Sequence, residues 1–200
     1  NDTTGIKDRV KMDDEDFFKG DFAAKETLLK EAVAVAMKAE TTVLALGESQ
    51  GMSGEAASRT EIRIPENQKV LLRAISKRYQ KFNAKHPDKK KKLVVVVFSG
   101  RPLVLTEEDR LADSVVEAWF LGTESGHAIA DVLFGSHNPS GKLTASFPYH
   151  EGQIPSHTYD TEPTGRPLTS NIKWLSRYLD APNEALYPFG WGLSYTNFEY

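Results

Sequence analysis

The sequence predicts an α/β fold, a layered α/β sandwich with a largely parallel sheet flanked by helices. Helical and extended patterns alternate from residue 24 to about residue 147, the order typical of such layers. The apolar, β-branched run LVVVVF at residues 93–98 is typical of a central strand covered on both faces. With 200 residues, 40% hydrophobic and 26% charged, the chain can bury a sizeable core without disulfides or a structural metal.

The elements of the first half follow from local patterns. Residues 1–22 are polar and acidic, and we expect a lead-in with a solvated surface. Apolar residues spaced by three and four predict a helix over residues 23–40, followed by a strand over residues 41–46. Residues 47–59 are small and polar and predict a loop, and the alternation at residues 61–64 predicts a half-exposed strand.

The second half continues the alternation. Pro65 suits the first turn of a helix whose inner stripe is predicted to be Leu71, Ala74, Ile75, Tyr79 and Phe82. After the lysine-rich turn and the central strand, we expect a helix over residues 107–113 and a strand over residues 114–120. A helix capped by Thr123 and reaching residue 133 comes next, with a last strand over residues 143–147.

Composition also limits the possible functions. A net charge of −3 gives no electrostatic reason to expect a nucleic-acid or anionic-membrane partner. The chain has no cysteine for a thiolate site, and its five histidines lack metal-ligand spacing, so no metal site is predicted. No Gly-x-Ser-x-Gly nucleophile motif is present.

The loop over residues 47–59, GESQGMSGEAASR, carries the strongest candidates for chemistry. It leaves a predicted strand at the edge where open parallel sheets bind ligands. Glu48 and Glu55 could act there as a general acid or base, although loop glutamates are commonly solvated surface charges. Arg59 is interpreted as a surface charge, as a partner for either carboxylate, or as a substrate contact.

Several short motifs occur together in one order along the chain. They are GESQGMSGEAASR (47–59), SGRP (99–102), AWFLGTESG (118–126), ADVLFG (130–135), NPSGKL (138–143), SFP (146–148), QIP (153–155) and YPFGWGLSY (187–195). In this order they resemble the second domain of glycoside hydrolase family 3, of the bacterial periplasmic β-glucosidase type. The resemblance covers the chain from about residue 41 to its end.

The resemblance implies part of a multidomain, retaining β-glucosidase that acts on β-glucosides or oligosaccharides without a cofactor. A barrel domain would supply the aspartate nucleophile, this domain would supply the acid/base glutamate, and a fibronectin-like domain often follows. Residues 23–200 would form the second domain and residues 1–22 the lead-in. The resemblance further implies a fragment that is inactive alone, from a periplasmic or extracellular enzyme.

The resemblance also implies roles for individual residues. Glu55 matches the later glutamate of the family's loop and is favoured as the acid/base, whereas Glu48 matches an earlier glutamate that is catalytic in some branches. Arg59, Met52 and Ser53 would bind substrate, and Arg59 would also orient a carboxylate.

Two other functions remain open at this stage. A noncatalytic module for carbohydrate binding or domain assembly could stack sugars on Trp174, Tyr178 or Trp191, although packing is the commoner use of such rings. A flavodoxin-like protein for small ligands is disfavoured, because no phosphate-binding loop is present. In the family the segment over residues 187–195 closes the domain, which implies structural roles for Trp191 and Tyr195.

Overall fold

The computed structural model describes residues 22–49, 51–156, 174 and 176–197. Apart from Phe22, the lead-in predicted for residues 1–22 lies outside the described residues. The chain divides into two compact units. The first contains the described parts of Asn1–Arg59, Ile64–Ser99 and Glu107–Glu117, and the second contains those of Thr60–Arg63, Gly100–Thr106 and Ala118–Tyr200.

The first unit is built on a parallel sheet. Strands β1 (Thr41–Gly47), β2 (Lys92–Phe98) and β3 (Ser114–Glu117) lie in the order β1-β2-β3. In their register, Gly47 is opposite Phe98 and Val97 is opposite Glu117. The predicted central strand is therefore central among the described strands, and all three carboxyl ends meet at one edge.

Helices α1 (Phe22–Ala36), α2 (Glu66–Lys85) and α3 (Thr106–Leu111) accompany the sheet. The run in β2 is buried as expected, since Val95, Val96 and Val97 are at most 1% exposed. Helix α2 buries Leu72 rather than the predicted Leu71. Each such side chain contributes roughly 1.5–3 kcal/mol when fully buried. The predicted α/β sandwich with a parallel sheet is confirmed.

Asn83, near the C-terminus of α2, fixes the entry to β2. Its Nδ2 donates to the backbone oxygen of Lys91 (2.9 Å), while its Oδ1 accepts from the backbone N–H of Lys91 (2.8 Å). Lys91 is itself 9% exposed and donates from Nζ to the oxygen of Ala39 (2.5 Å). The lysine-rich turn therefore includes a buried, hydrogen-bonded lysine.

The second unit contains helix α4 (Ser125–Leu133) and much irregular chain held by polar contacts. Gln153 accepts from the backbone N–H of Tyr149 (2.6 Å) and donates to the oxygens of Pro182 (2.7 Å) and Glu184 (3.1 Å). These bonds hold a segment in which hydrophobic periodicity predicts no regular element. Short 3₁₀ turns at Pro87–Lys89, in the first unit, and at Glu151–Gln153 complete the described elements.

Two predicted strands are wrong. Residues 61–64 form no strand; the oxygen of Ile62 accepts from the N–H of Val104 (2.7 Å), but no ladder continues. Residues 143–147 also form no strand: Phe147 makes an isolated antiparallel bridge with Tyr187, and Leu143 bonds to Gly190 and Trp191, but no continuous ladder joins the two segments. A short alternating sequence pattern does not show whether backbone bonds to a neighbouring segment continue as a ladder, and in these two segments they do not.

Several predicted boundaries are also corrected. Helix α1 ends at Ala36 rather than at residue 40, and β3 ends at Glu117, shortly before Trp119 adopts a positive φ of 53°. Thr123 does not cap α4, because Glu124 occupies the N-cap position and makes no side-chain cap. Such ends depend on local backbone geometry, which hydrophobic periodicity does not encode.

Candidate active-site loop

The candidate loop leaves the sheet at Gly47, where the backbone requires glycine. Its φ is +140°, and a Cβ atom there would lie 1.9 Å from the carbonyl oxygen of Phe98. The next residue, Glu48, donates its backbone N–H to the same oxygen (2.8 Å). The first step of the loop is therefore fixed against the end of β2.

Glu48 and Arg59 join the two ends of the loop. Arg59 Nη1 lies 3.3 Å from Glu48 Oε1, with the Glu48 side chain fully buried and the Arg59 side chain 20% exposed. Charges removed from water in this way need a close partner to offset their desolvation. Of the roles predicted for Arg59, the structure shows the one in which it pairs with a carboxylate.

Glu55 lies at the tip of the loop and is exposed. Gly54 and Ala57 exchange both backbone hydrogen bonds, at 3.1 and 3.2 Å, so that Glu55 and Ala56 form a two-residue turn. Ala56 has a φ of +56°, and a positive φ at this third position of the turn is the pattern of a type II turn. The two candidate glutamates therefore occupy opposite environments, one at the buried base and one at the exposed tip.

Met52 and Ser53 lie between base and tip and are half-buried. The N–H of Met52 donates to the oxygen of Ser49 (2.9 Å), which closes a turn just before the hairpin. Gln50, within the same predicted loop, lies outside the described residues. The structure thus pairs Glu48 with Arg59 and groups Met52 and Ser53 with the segment that carries Glu55.

Sequence reasoning missed two residues at this edge of the sheet. Gln68, in the first turn of α2, accepts from the N–H of Gly47 (2.7 Å) and donates to its oxygen (2.9 Å). Glu117 ends β3 and accepts from the hydroxyl of the fully buried Ser99 (3.2 Å). Glu117 could have been found from the sequence, because a glutamate that ends an apolar strand is unusual. Gln68 could not, because a glutamine near the start of a helix is common.

Two of the aromatic side chains suggested for sugar stacking, Tyr178 and Trp191, make contacts within the second unit, as does Tyr195. Trp191 stacks on Tyr187 with ring centroids 6.2 Å apart. Tyr178 donates its hydroxyl to the oxygen of Gly152 (3.1 Å), and Tyr195 donates to the oxygen of Val132 (2.6 Å). Trp174 is 85% exposed. Tyr178, Trp191 and Tyr195 therefore make the intramolecular contacts expected of structural aromatic residues.

In the part of the chain that the structure describes, no group of three or more His, Cys, Asp or Glu side chains is arranged to hold a metal ion. None of the described helices combines the length and the apolar character that crossing a bilayer requires.

Comparison with known proteins identifies the family. Residues 2–195 match the sequence profile of the glycosyl hydrolase family 3 C-terminal domain. The chain belongs to this family. The predicted recognition is thereby confirmed, while the division into a lead-in and a second domain stays a prediction.

Relatives in the family include a periplasmic beta-glucosidase of Salmonella typhimurium, 48% identical over 186 residues that make up 92% of this chain. A beta-xylosidase of Formosa agariphila is 36% identical over 85% of this chain. The chain spans 23% and 21% of the lengths of these two relatives.

Solved structures of family 3 enzymes share the fold. A beta-glucosidase from Listeria innocua in complex with gluconolactone superimposes with a TM-score of 0.75 at 39% identity, covering 90% of this chain and 23% of that chain. A beta-glucosidase from Kluyveromyces marxianus in complex with glucose gives a TM-score of 0.63 at 28% identity, over 87% of this chain and 20% of that chain.

Proposed function

We propose that this chain is the acid/base domain of a retaining β-glucosidase that hydrolyses terminal β-D-glucosyl residues, and that Glu55 is the acid/base. The observation that carries the proposal is the contrast within one loop. Glu55 is exposed on a hairpin tip, whereas Glu48 is buried beside Arg59. A tip carboxyl can reach a sugar held by another domain, and a carboxylate packed at the base serves to hold the loop.

The proposed chemistry needs a second carboxylate. Retaining hydrolysis uses two carboxyl groups ~5 Å apart, one to attack the anomeric carbon and one to protonate the leaving oxygen and later activate water. We assign the nucleophile to an aspartate of a partner barrel domain. A carboxyl keeps its proton near neutral pH when it is buried beside another negative charge. Glu55 would gain both conditions when the loop closes over substrate and nucleophile.

Two other loop residues, Met52 and Ser53, would line the substrate, since they flank the hairpin. Arg59 would act on substrate only indirectly, through its ion pair with Glu48. The glucoside assignment draws on the Salmonella and Listeria relatives, and the Salmonella name also supports a periplasmic location. Because a beta-xylosidase shares the domain, the choice of sugar would rest mainly on the partner barrel.

The test compares Glu55→Gln and Glu48→Gln in the full-length enzyme that carries this segment. Two substrates are used: a dinitrophenyl β-glucoside, whose leaving group needs no proton, and cellobiose, whose leaving group does. Glu55→Gln should lower kcat/KM on cellobiose ~100- to 10,000-fold and on the activated glucoside far less. Azide should restore turnover of the activated glucoside, giving the β-glucosyl azide expected of a retaining enzyme.

The control variant is Glu31→Gln, at an exposed position in α1, which should leave both rates unchanged. If azide rescues Glu48→Gln instead, the two glutamates exchange roles. If neither variant distinguishes the two substrates, the acid/base assignment to this loop is wrong.

A further inference from the structure

We propose that Gln68 is a positioning residue for the catalytic loop, setting the direction in which the hairpin bearing Glu55 leaves the sheet. The inference rests on the function proposed for Glu55. Gln68 lies on helix α2, outside the loop. Its side chain forms hydrogen bonds with Gly47, the residue at which the loop begins.

The contact is a two-point clasp. Oε1 of Gln68 accepts from the N–H of Gly47 at 2.7 Å, and Nε2 donates to the oxygen of Gly47 at 2.9 Å. One planar carboxamide therefore binds both polar groups of one residue, as a neighbouring strand would. Two bonds from a rigid plane fix the orientation of Gly47, which a single bond would leave free to rotate.

Gly47 needs this restraint because glycine can adopt more backbone conformations than any other residue. No side chain but hydrogen fits against Phe98, so the position cannot be stiffened by substitution. The hydrogen bond from Glu48 to Phe98 holds the chain on the side of β2. The Gln68 clasp holds it on the side of α2. The start of the loop at Gly47 is therefore fixed to both β2 and α2.

Gln68 is itself held in place by helix α2. Gln68 lies in the first turn of α2, where its own N–H donates to the oxygen of Pro65 (3.0 Å). One turn further along, Leu72 is completely buried and fixes the helix in the core. Glu55 follows Gly47 by eight residues, so a small rotation at Gly47 becomes a large displacement at the tip.

The experiment uses Gln68→Ala in the full-length enzyme with the same two substrates. Loss of the clasp should misplace the acid/base, and displacements of about 1 Å can cost ~100-fold in rate. We expect kcat/KM on cellobiose to fall ~10- to 100-fold, with a much smaller change on the dinitrophenyl glucoside. Loss of general stability alone would lower both values together.

The chain provides a matched control at the other end of the same helix. Asn83 clasps Lys91 with the same pair of amide bonds, but at the amino edge of the sheet. Asn83→Ala should lower the urea midpoint to a similar extent and leave the ratio of the two kcat/KM values unchanged. Gln68→Glu is the second variant, used if Gln68→Ala does not fold. It keeps the acceptor for Gly47, loses the donor, and should show the same selective loss to a smaller degree.

The outcomes separate the two proposals. If Glu55→Gln discriminates between the substrates and the folded Gln68 variants do not, the positioning role is overturned and the acid/base assignment stands. If Asn83→Ala shows the same selectivity as Gln68→Ala, the effect is general destabilisation and the inference also fails. If Glu55→Gln itself shows no discrimination, the proposed function is wrong.

Discussion

At the scale of single residues, Gly47 shows how one position can decide where a loop begins. Three constraints converge on it: a φ of +140°, the carbonyl of Phe98 where a Cβ would be, and the two bonds from Gln68. The first two reject any residue larger than glycine, and the third holds the backbone of Gly47 in place. The backbone therefore turns out of the sheet there and nowhere earlier along β1.

Gly47→Ala is expected to be strongly destabilising, by on the order of 3 kcal/mol, because the positive φ and the close carbonyl act together. Urea unfolding of the 200-residue chain, followed by circular dichroism, measures the loss. The matched control is Gly126→Ala, within α4, where a Cβ would meet nothing within 4 Å. That helix should gain about 0.5–1 kcal/mol. Equal effects of the two substitutions would contradict the steric argument.

At the scale of elements, α2 and α3 are joined by a charge cluster in which two consecutive glutamates behave differently. Arg73 donates from Nε to Oε1 of Glu107 (2.6 Å) and from Nη2 to Oε2 (2.8 Å), and these bonds lower the pKa of Glu107 to about 2. Lys69 adds an ion pair at 2.8 Å. Glu108 is 1% exposed, and burial raises its pKa above the usual value. Helix geometry turns one side chain toward the cations and its neighbour into the core.

The two glutamates should therefore make opposite contributions to stability as pH changes. Glu107 binds its proton less tightly when folded, so its stabilisation is present above about pH 4.5 and is lost toward about pH 2. Glu108 binds its proton more tightly when folded, so its contribution is present below about pH 4.5 and is lost as pH rises. At neutral pH, Glu107→Gln should destabilise the chain and Glu108→Gln should stabilise it.

Urea midpoints measured across this pH range test the pair, with each variant as the control for the other. Both differences from the parent chain should shrink on acidification. The difference for Glu108→Gln should become small just below pH 4.5, and that for Glu107→Gln only near pH 2. Parallel pH curves for the two variants would show that their environments are not opposed.

The secondary-structure elements also show which parts of the fold could be predicted from the sequence. The β2 run and, in α2, Ile75 and Tyr79 were correctly predicted to be buried, because burial imposes a period that many side chains repeat. The strands predicted for residues 61–64 and 143–147 were wrong because an alternating pattern does not show whether backbone bonds to a neighbouring segment continue as a ladder. In the site, the loop and its glutamates were found through their place after β1. Gln68 was missed because its contact joins residues 21 apart and leaves no local pattern.

At the scale of the whole molecule, the proposed mechanism divides its two carboxylates between domains. The chain spans 23% of the length of the Salmonella relative, and its proposed acid/base stands exposed on a hairpin tip. We expect the 200-residue chain alone to show no measurable hydrolysis of a dinitrophenyl β-glucoside. A mixture with a separately produced barrel domain that restores turnover would support the division. Activity of the isolated chain, abolished by Glu55→Gln, would contradict it.

The two clasps on α2 also bear on how this protein could be re-engineered. Gln68 and Asn83 are separated by fifteen positions, about 22 Å along a helix axis, and each must meet a fixed partner at its own edge of the sheet. One inserted residue would rotate everything beyond it by about 100°, so both amides could no longer reach. The length of α2 between Gln68 and Asn83 is therefore fixed by the two clasps. The loop between Glu48 and Arg59 lies outside this helix, so substitutions in the loop leave the spacing of the two clasps unchanged.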